Sequence, residues 1–139
     1  MKTTFKSILT ASAVLVLTIV MFAFYGIQQQ AAGKPWDVPA KYKSMKNPIP
    51  GKDVEVGKGL WAKHCKSCHG AAGLGDGPKS KMLKTNCGDF STAKFQGQSD
   101  GVIYYQSFVG RDEMPNFEKK ITVEDDRWAL INFIRTLKK

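Results

Sequence analysis

Cys65-Lys-Ser-Cys68-His69 constrains this chain more than any other stretch, because two thiols about one helical turn apart with an imidazole next in line suit few chemistries. A Cys-x-x-Cys can be a redox pair, half of a zinc site or, with His following, the attachment point of a c-type haem. A thioredoxin-like pair needs a strand ahead of it in a βαβ context, and the residues before Cys65 read as a helix. A zinc site needs four ligands, yet the Cys and His residues are Cys65, Cys68, Cys87, His64 and His69, with no second paired motif to close a tetrahedron. The haem reading requires nothing else. Each thiol forms a thioether to one vinyl group, and His69 reaches the iron from one face. One haem c, attached through Cys65 and Cys68, is therefore expected.

The local signals around the motif are helical. Asp53 is placed to cap a helix whose Val54, Gly57, Leu60 and Trp61 form a face ending at the motif. Near the C-terminus, Thr122 with Asp125 makes a capping-box variant, and Leu130, Phe133, Ile134 and Leu137 follow the i, i+3, i+4, i+7 spacing of an amphipathic helix. Asp100 is expected to cap a shorter helix through Val102, Tyr105 and Val109, ended by Gly110. Residues 70–97, with Gly70, Gly73, Gly75, Gly77 and Pro78, read as loop with one short helix near Ser80. No stretch alternates as a strand would, so the fold class is all-α. A unit as small as residues 51–139 has a marginal apolar core, so the haem is expected to complete it. The haem-free domain should then be poorly folded.

The N-terminal segment sets the expected location. Lys2 and Lys6 precede an uncharged run from Ile8 to Ile27. That is long enough for the about 20 residues of a spanning helix and longer than the about 7–15 of a signal peptide's apolar region. An A-x-A-like cleavage site is also missing. Residues 1–27 thus read as a membrane anchor, or an uncleaved signal, with 8–27 in the bilayer. Lys2 and Lys6 keep the N-terminus in the cytoplasm and send the remainder to the periplasmic side of a bacterial cell membrane, where haem is attached covalently. Residues 28–50, with Pro35, Pro39, Pro48 and Pro50, read either as a Pro-containing tether or as a segment whose Trp36, Val38 and Tyr42 pack onto the folded unit or a neighbouring subunit.

From about Asp53 to Lys139 the chain resembles a class I monohaem cytochrome c. Besides the attachment motif, Gly57 and Trp61 stand where that family places a Gly and an aromatic residue ahead of the first Cys, and Leu130 and Phe133 match the partner helix. Met114-Pro115, following Gly110, stands where the family carries its methionine. The resemblance implies a small fold of about three to four helices wrapped round the haem, with Met114 as second axial ligand opposite His69. It also implies that the Pro78 carbonyl accepts from the His69 ring, although Pro78 after Gly77 also suits a simple turn. Met82, in a Lys-rich segment, and Met45 are the rival sulfurs.

The remaining residues refine that expectation. His64 lies about 100° round the helix from Cys65 and is expected to face away from the iron. Cys87, left over from the motif, is either a small buried hydrophobe or a thiol that pairs between chains. Phe90, Phe95, Tyr104 and Tyr105 are expected in the haem pocket or core. Net charge is +9, of which Lys2 and Lys6 supply two. Lys63, Lys66, Lys79, Lys81 and Lys84 crowd the motif, which suits docking to acidic redox proteins or respiratory-complex subunits and offers no base-reading chemistry for nucleic acid. The expected function is one-electron transfer between a donor complex and a terminal oxidase or reductase. The alternatives are a fixed haem subunit of a larger respiratory complex, and a haem enzyme or small-ligand sensor with an open axial site.

Overall fold

A computed structural model describes residues 34–139. In chain order the helices are α1 (Ala40–Lys43), α2 (Val54–His64), α3 (Lys66–His69), a 3₁₀ turn (Ser80–Met82), α4 (Ala93–Gln96), α5 (Asp100–Phe108) and α6 (Glu124–Thr136). No strand forms among the described residues, and Arg111 and Met114 make an isolated antiparallel bridge. The expected anchor at 8–27 lies outside the described residues. Among the described ones, no helix is long and apolar enough to cross a membrane.

The crossing of α2 and α6 organises the molecule. Gly57 is buried, and a Cβ built on it would lie 2.0 Å from the Ala129 carbonyl oxygen and 2.9 Å from the Phe133 Cβ. Only glycine permits helices to approach so closely. One turn later Trp61 meets Phe133 with ring centroids 5.8 Å apart, and both belong to a core with Ile103, Phe108, Trp128, Leu130, Ile131 and Ile134. The α6 face is broader than a four-residue stripe, since Trp128 to Ile134 are all buried.

The helices α2, α5 and α6 stand where expected, whereas α4 forms within the stretch read as loop, capped by Thr92, whose hydroxyl accepts from the Phe95 N–H at 3.3 Å; the caps of the expected helices differ. Asp53 does occupy the N-cap of α2, yet it does so in the left-handed region at φ 54°, and its side chain makes no cap bond. The first residue of α6 is Glu124, its N-cap is Val123, and no side chain caps it. Three acidic residues in its first turn, Glu124, Asp125 and Asp126, complement the helix dipole instead. For α5 the cap is Ser99, whose hydroxyl accepts from the Val102 N–H at 3.4 Å. Asp100 is instead drawn to the Arg135 side chain, with Nε and Nη2 donating to its Oδ1 at 2.7 and 2.5 Å. A charged partner on α6 outcompetes the local backbone for that carboxylate.

The described part of the segment from 28 to 50 is packed. Val38 is buried, Tyr42 stacks on Tyr104 and meets Tyr105 of α5 at a tilt, and α1 forms where a Pro-containing spacer had been one expectation. Asn132, buried in α6, donates to the Ile49 and Lys52 carbonyls at 2.7 and 2.8 Å and accepts from Asn47 Nδ2 at 2.8 Å. Both amide protons and the oxygen are thereby used, so the buried side chain is satisfied.

Two alanine substitutions in α2 should separate close packing from helix propensity. Gly57→Ala is expected to cost at least about 1–3 kcal/mol through overpacking. Gly59→Ala, which meets nothing within 4 Å, should be neutral or stabilising by up to about 1 kcal/mol. Thermal unfolding of the holoprotein checks both. Equal effects at the two positions would count against the crossing described.

Candidate haem site

The attachment motif forms a separate turn after α2. Cys65, at φ −114° and ψ −40°, ends one helix and caps the next, and α3 carries the chain to His69. Trp61 fixes the far end of that turn, its Nε1–H donating to the Gly70 carbonyl at 3.1 Å. The glycine-rich loop then folds back on the motif. Gly75 N–H donates to the His69 carbonyl at 2.9 Å, and Lys79 N–H to that of Ser67 at 2.9 Å. Gly77 lies against the motif backbone so closely that a Cβ there would sit 2.6 Å from the Ser67 oxygen. The glycines expected only as loop punctuation thus supply donors for the orphan carbonyls of α3.

Cys65, Cys68, His69 and Met114 line one cavity of about 370 Å³, together with Leu83, Cys87 and Phe117. A smaller cavity of about 70 Å³ shares Cys65, His69, Met114 and Phe117 and is otherwise walled by Trp61, Phe90, Phe95, Leu130 and Ile134 with Gln106 and Ser107. The rival sulfurs are elsewhere. Met82 is 82% exposed and Met45 packs behind the core, with neither lining these cavities. Phe117, unmarked by any motif, is brought in because its N–H donates to the Phe108 carbonyl at 2.9 Å while Arg127 holds the carbonyls of Glu118 and Ile121.

His69 is buried and its Nδ1 lies 3.0 Å from the Cys87 carbonyl oxygen. A carbonyl only accepts, so Nδ1 carries the proton and Nε2 keeps the lone pair that a metal needs. Burial pushes the imidazole pKa down, with the Cys87 hydrogen bond opposing it. The acceptor is therefore Cys87 and not Pro78, which is exposed. Pro78 follows the glycine that docks on the motif and serves the turn. Cys87 itself is half-buried, with its thiol pushed up chiefly by burial. Before attachment the free Cys65 thiol is pushed up to about 12, by burial and then by Cys68.

His64 also departs from expectation, lining the larger cavity and meeting Phe117 edge-on at 5.8 Å. The regular 100° step does not continue through the break at Cys65. Lys63, Lys79 and Lys120 stand at the same cavity. No group of three or more His, Cys, Asp and Glu side chains that could hold a metal ion occurs among the described residues.

Two thiols and an imidazole with a free Nε2 line one cavity in the arrangement that a covalently attached haem requires, and the Met114 thioether lines the same cavity. The cytochrome c family model matches residues 54–138. The chain belongs to the cytochrome c family. Its domain binds haem c covalently, and Cys65, Cys68 and His69 fit one such group. Membership implies haem-based electron transfer. Among solved structures the chain is similar to a chain of the reducing HAO-like protein complex of Kuenenia stuttgartiensis, at 24% identity and a TM-score of 0.55. That alignment covers 83% of this chain and 54% of the other, so this chain spans about half the length of that neighbour and shares its fold. No curated protein matches the chain.

Because the Cys87 contact to His69 is made by the backbone, Cys87→Ala should retain covalent haem and an unchanged visible spectrum. Haem staining of the denatured protein and absorption of the native one check this. Loss of haem in that variant would show that the thiol itself is needed.

Proposed function

We propose that the protein is a membrane-anchored one-electron carrier of a respiratory chain, with His69 and Met114 as the two axial ligands of haem c. The single observation that carries this is the meeting of His69 and Met114 at both cavities. When bound, the haem supplies a one-electron iron couple. His69 offers Nε2 in a fixed tautomer because Cys87 takes the other ring proton. Met114 offers a soft thioether, which favours the ferrous state and raises the potential. Trp61, Phe90, Phe95 and Leu130 exclude water behind the site, which disfavours the additional charge of the ferric state. If His69 and Met114 both held the iron, they would leave no open place for peroxide or a gas. The residues then hold the iron and do no bond chemistry.

The lysines supply the proposed route to partners. Lys63, Lys79 and Lys120 at the cavity mouth would steer the domain to acidic redox proteins, an attraction that weakens with salt. Residues 8–27 would anchor the chain, with the haem domain periplasmic. A fixed place in a larger redox assembly is the second reading, and the packing of residues 34–50, which shortens any free tether, favours it. The mass of the detergent-extracted protein distinguishes a monomeric carrier from an assembly subunit.

Ferric wild-type protein is expected to show the weak long-wavelength sulfur-to-iron band, and Met114→Ala to lose it and bind cyanide readily. The potential should fall by on the order of a hundred millivolts, within the roughly 0.8 V that axial ligation spans. A wild-type protein without the band that binds carbon monoxide freely would put the enzyme or sensor reading first.

A further inference from the structure

Met114 closes a short turn that begins at Arg111. Arg111 and Met114 exchange backbone hydrogen bonds, each N–H donating to the other's carbonyl at 2.8 Å. Between them Asp112 holds φ at 48°, a conformation that a non-glycine residue keeps only when its surroundings impose it. The surroundings are supplied from far away in sequence. The Arg111 guanidinium lies 4.0 Å from the Trp36 ring centroid, while Nη1 donates to the Pro35 carbonyl at 2.8 Å and Nη2 to that of Lys34. Trp36 in turn meets Tyr105 of α5 edge-on at 6.2 Å. The turn is thus fastened through one side chain to residues 34–36, which lie outside the part of the chain that the family model covers.

We propose that Arg111 and Trp36 are positioning residues for Met114. The segment 34–36 clamps the methionine turn against the haem cavity and sets how often the sulfur leaves the iron. This rests on Met114 being the axial ligand. The clamp needs arginine, because only a planar guanidinium stacks on a ring and donates to two carbonyls together. The exposed Asp112 carboxylate, 3.9 Å from Arg111 Nε, is screened and adds little. On the other side of the turn, the Glu113 carboxylate accepts from the N–H groups of Lys84 and Thr85 and from the Thr85 hydroxyl. With two fastenings, removing one loosens the turn without freeing it. Local opening becomes more frequent while the closed state still dominates.

The test uses the ferric full-length holoprotein and cyanide as the probe of opening, with amide exchange at Met114 measured alongside. Arg111→Ala and Trp36→Ala should keep the long-wavelength band at rest, bind cyanide about tenfold faster than wild type and exchange the Met114 amide faster. Trp36→Phe should restore wild-type behaviour, and Arg111→Lys should fall between. Ile131→Val, a core change on α6 away from the clamp, should lower thermal stability with cyanide binding unchanged. Wild-type cyanide rates and Met114 exchange in both alanine variants would overturn the proposal, as would an equal acceleration in Ile131→Val. A wild-type protein lacking the band would overturn the axial assignment separately. Faster Met114 exchange in Arg111→Ala would then still support the clamp, and unchanged exchange would overturn it.

Discussion

The close approach of α2 to α6 at Gly57 is the constraint from which the site follows. With the Ala129 carbonyl where a Cβ would be, α2 has little freedom to slide or rotate on its partner. Trp61 is consequently held between Phe133 and Phe90, and its indole N–H is aimed at the Gly70 carbonyl just beyond the motif. The attachment turn is in this way referenced to the C-terminal helix through one aromatic side chain. Displacing either helix would move both thiols and the imidazole relative to the walls that receive the haem.

Secondary contacts then divide the labour between polar and apolar groups. The core between the helices is almost wholly apolar, and buried and half-buried polar residues serve to pin irregular backbone. Asn132 fastens residues 47–52 to α6, and Arg127 gathers the carbonyls of Glu118 and Ile121 with the Tyr104 hydroxyl. Such backbone has no ladder of its own, so its polar groups must find partners elsewhere when buried. Phe117 reaches the cavity because this pinning fixes the turn that carries it.

How much was legible in the sequence follows the same division. The positions of α2, α5 and α6 were readable because periodicity records them directly, whereas the crossing of Gly57 and Trp61 with Leu130 and Phe133 was implied by the family resemblance and not by the pattern itself. Caps were less readable, since Asp100 had an arginine on α6 to choose over its own backbone, and no local pattern encodes that choice. The His69 acceptor was misplaced for a related reason. A backbone carbonyl carries no residue signature, so nothing at Cys87 marks its oxygen as the partner. The segment at 34–50 was ambiguous because its prolines argued for a spacer while Trp36, Val38 and Tyr42 argued for burial. The aromatic surface of α5 was the deciding partner, and it is reached only in three dimensions.

The two sides of the haem cavity are consequently built with different stiffness. His69 is fixed within a few residues of the covalent attachment points, by the α3 turn, by Gly75 on its carbonyl and by Cys87 on its ring. Met114 is held through loop contacts that span long sequence separations, from Arg111 to residues 34–35 and from Glu113 to 84–85. Closing such loops costs entropy that local turns avoid, and exposed hydrogen bonds return less than buried ones. On the proposed ligation, the methionine side would be the side to open first under heat, denaturant or a competing ligand. In an electron carrier that asymmetry keeps the cofactor attached and oriented from one face.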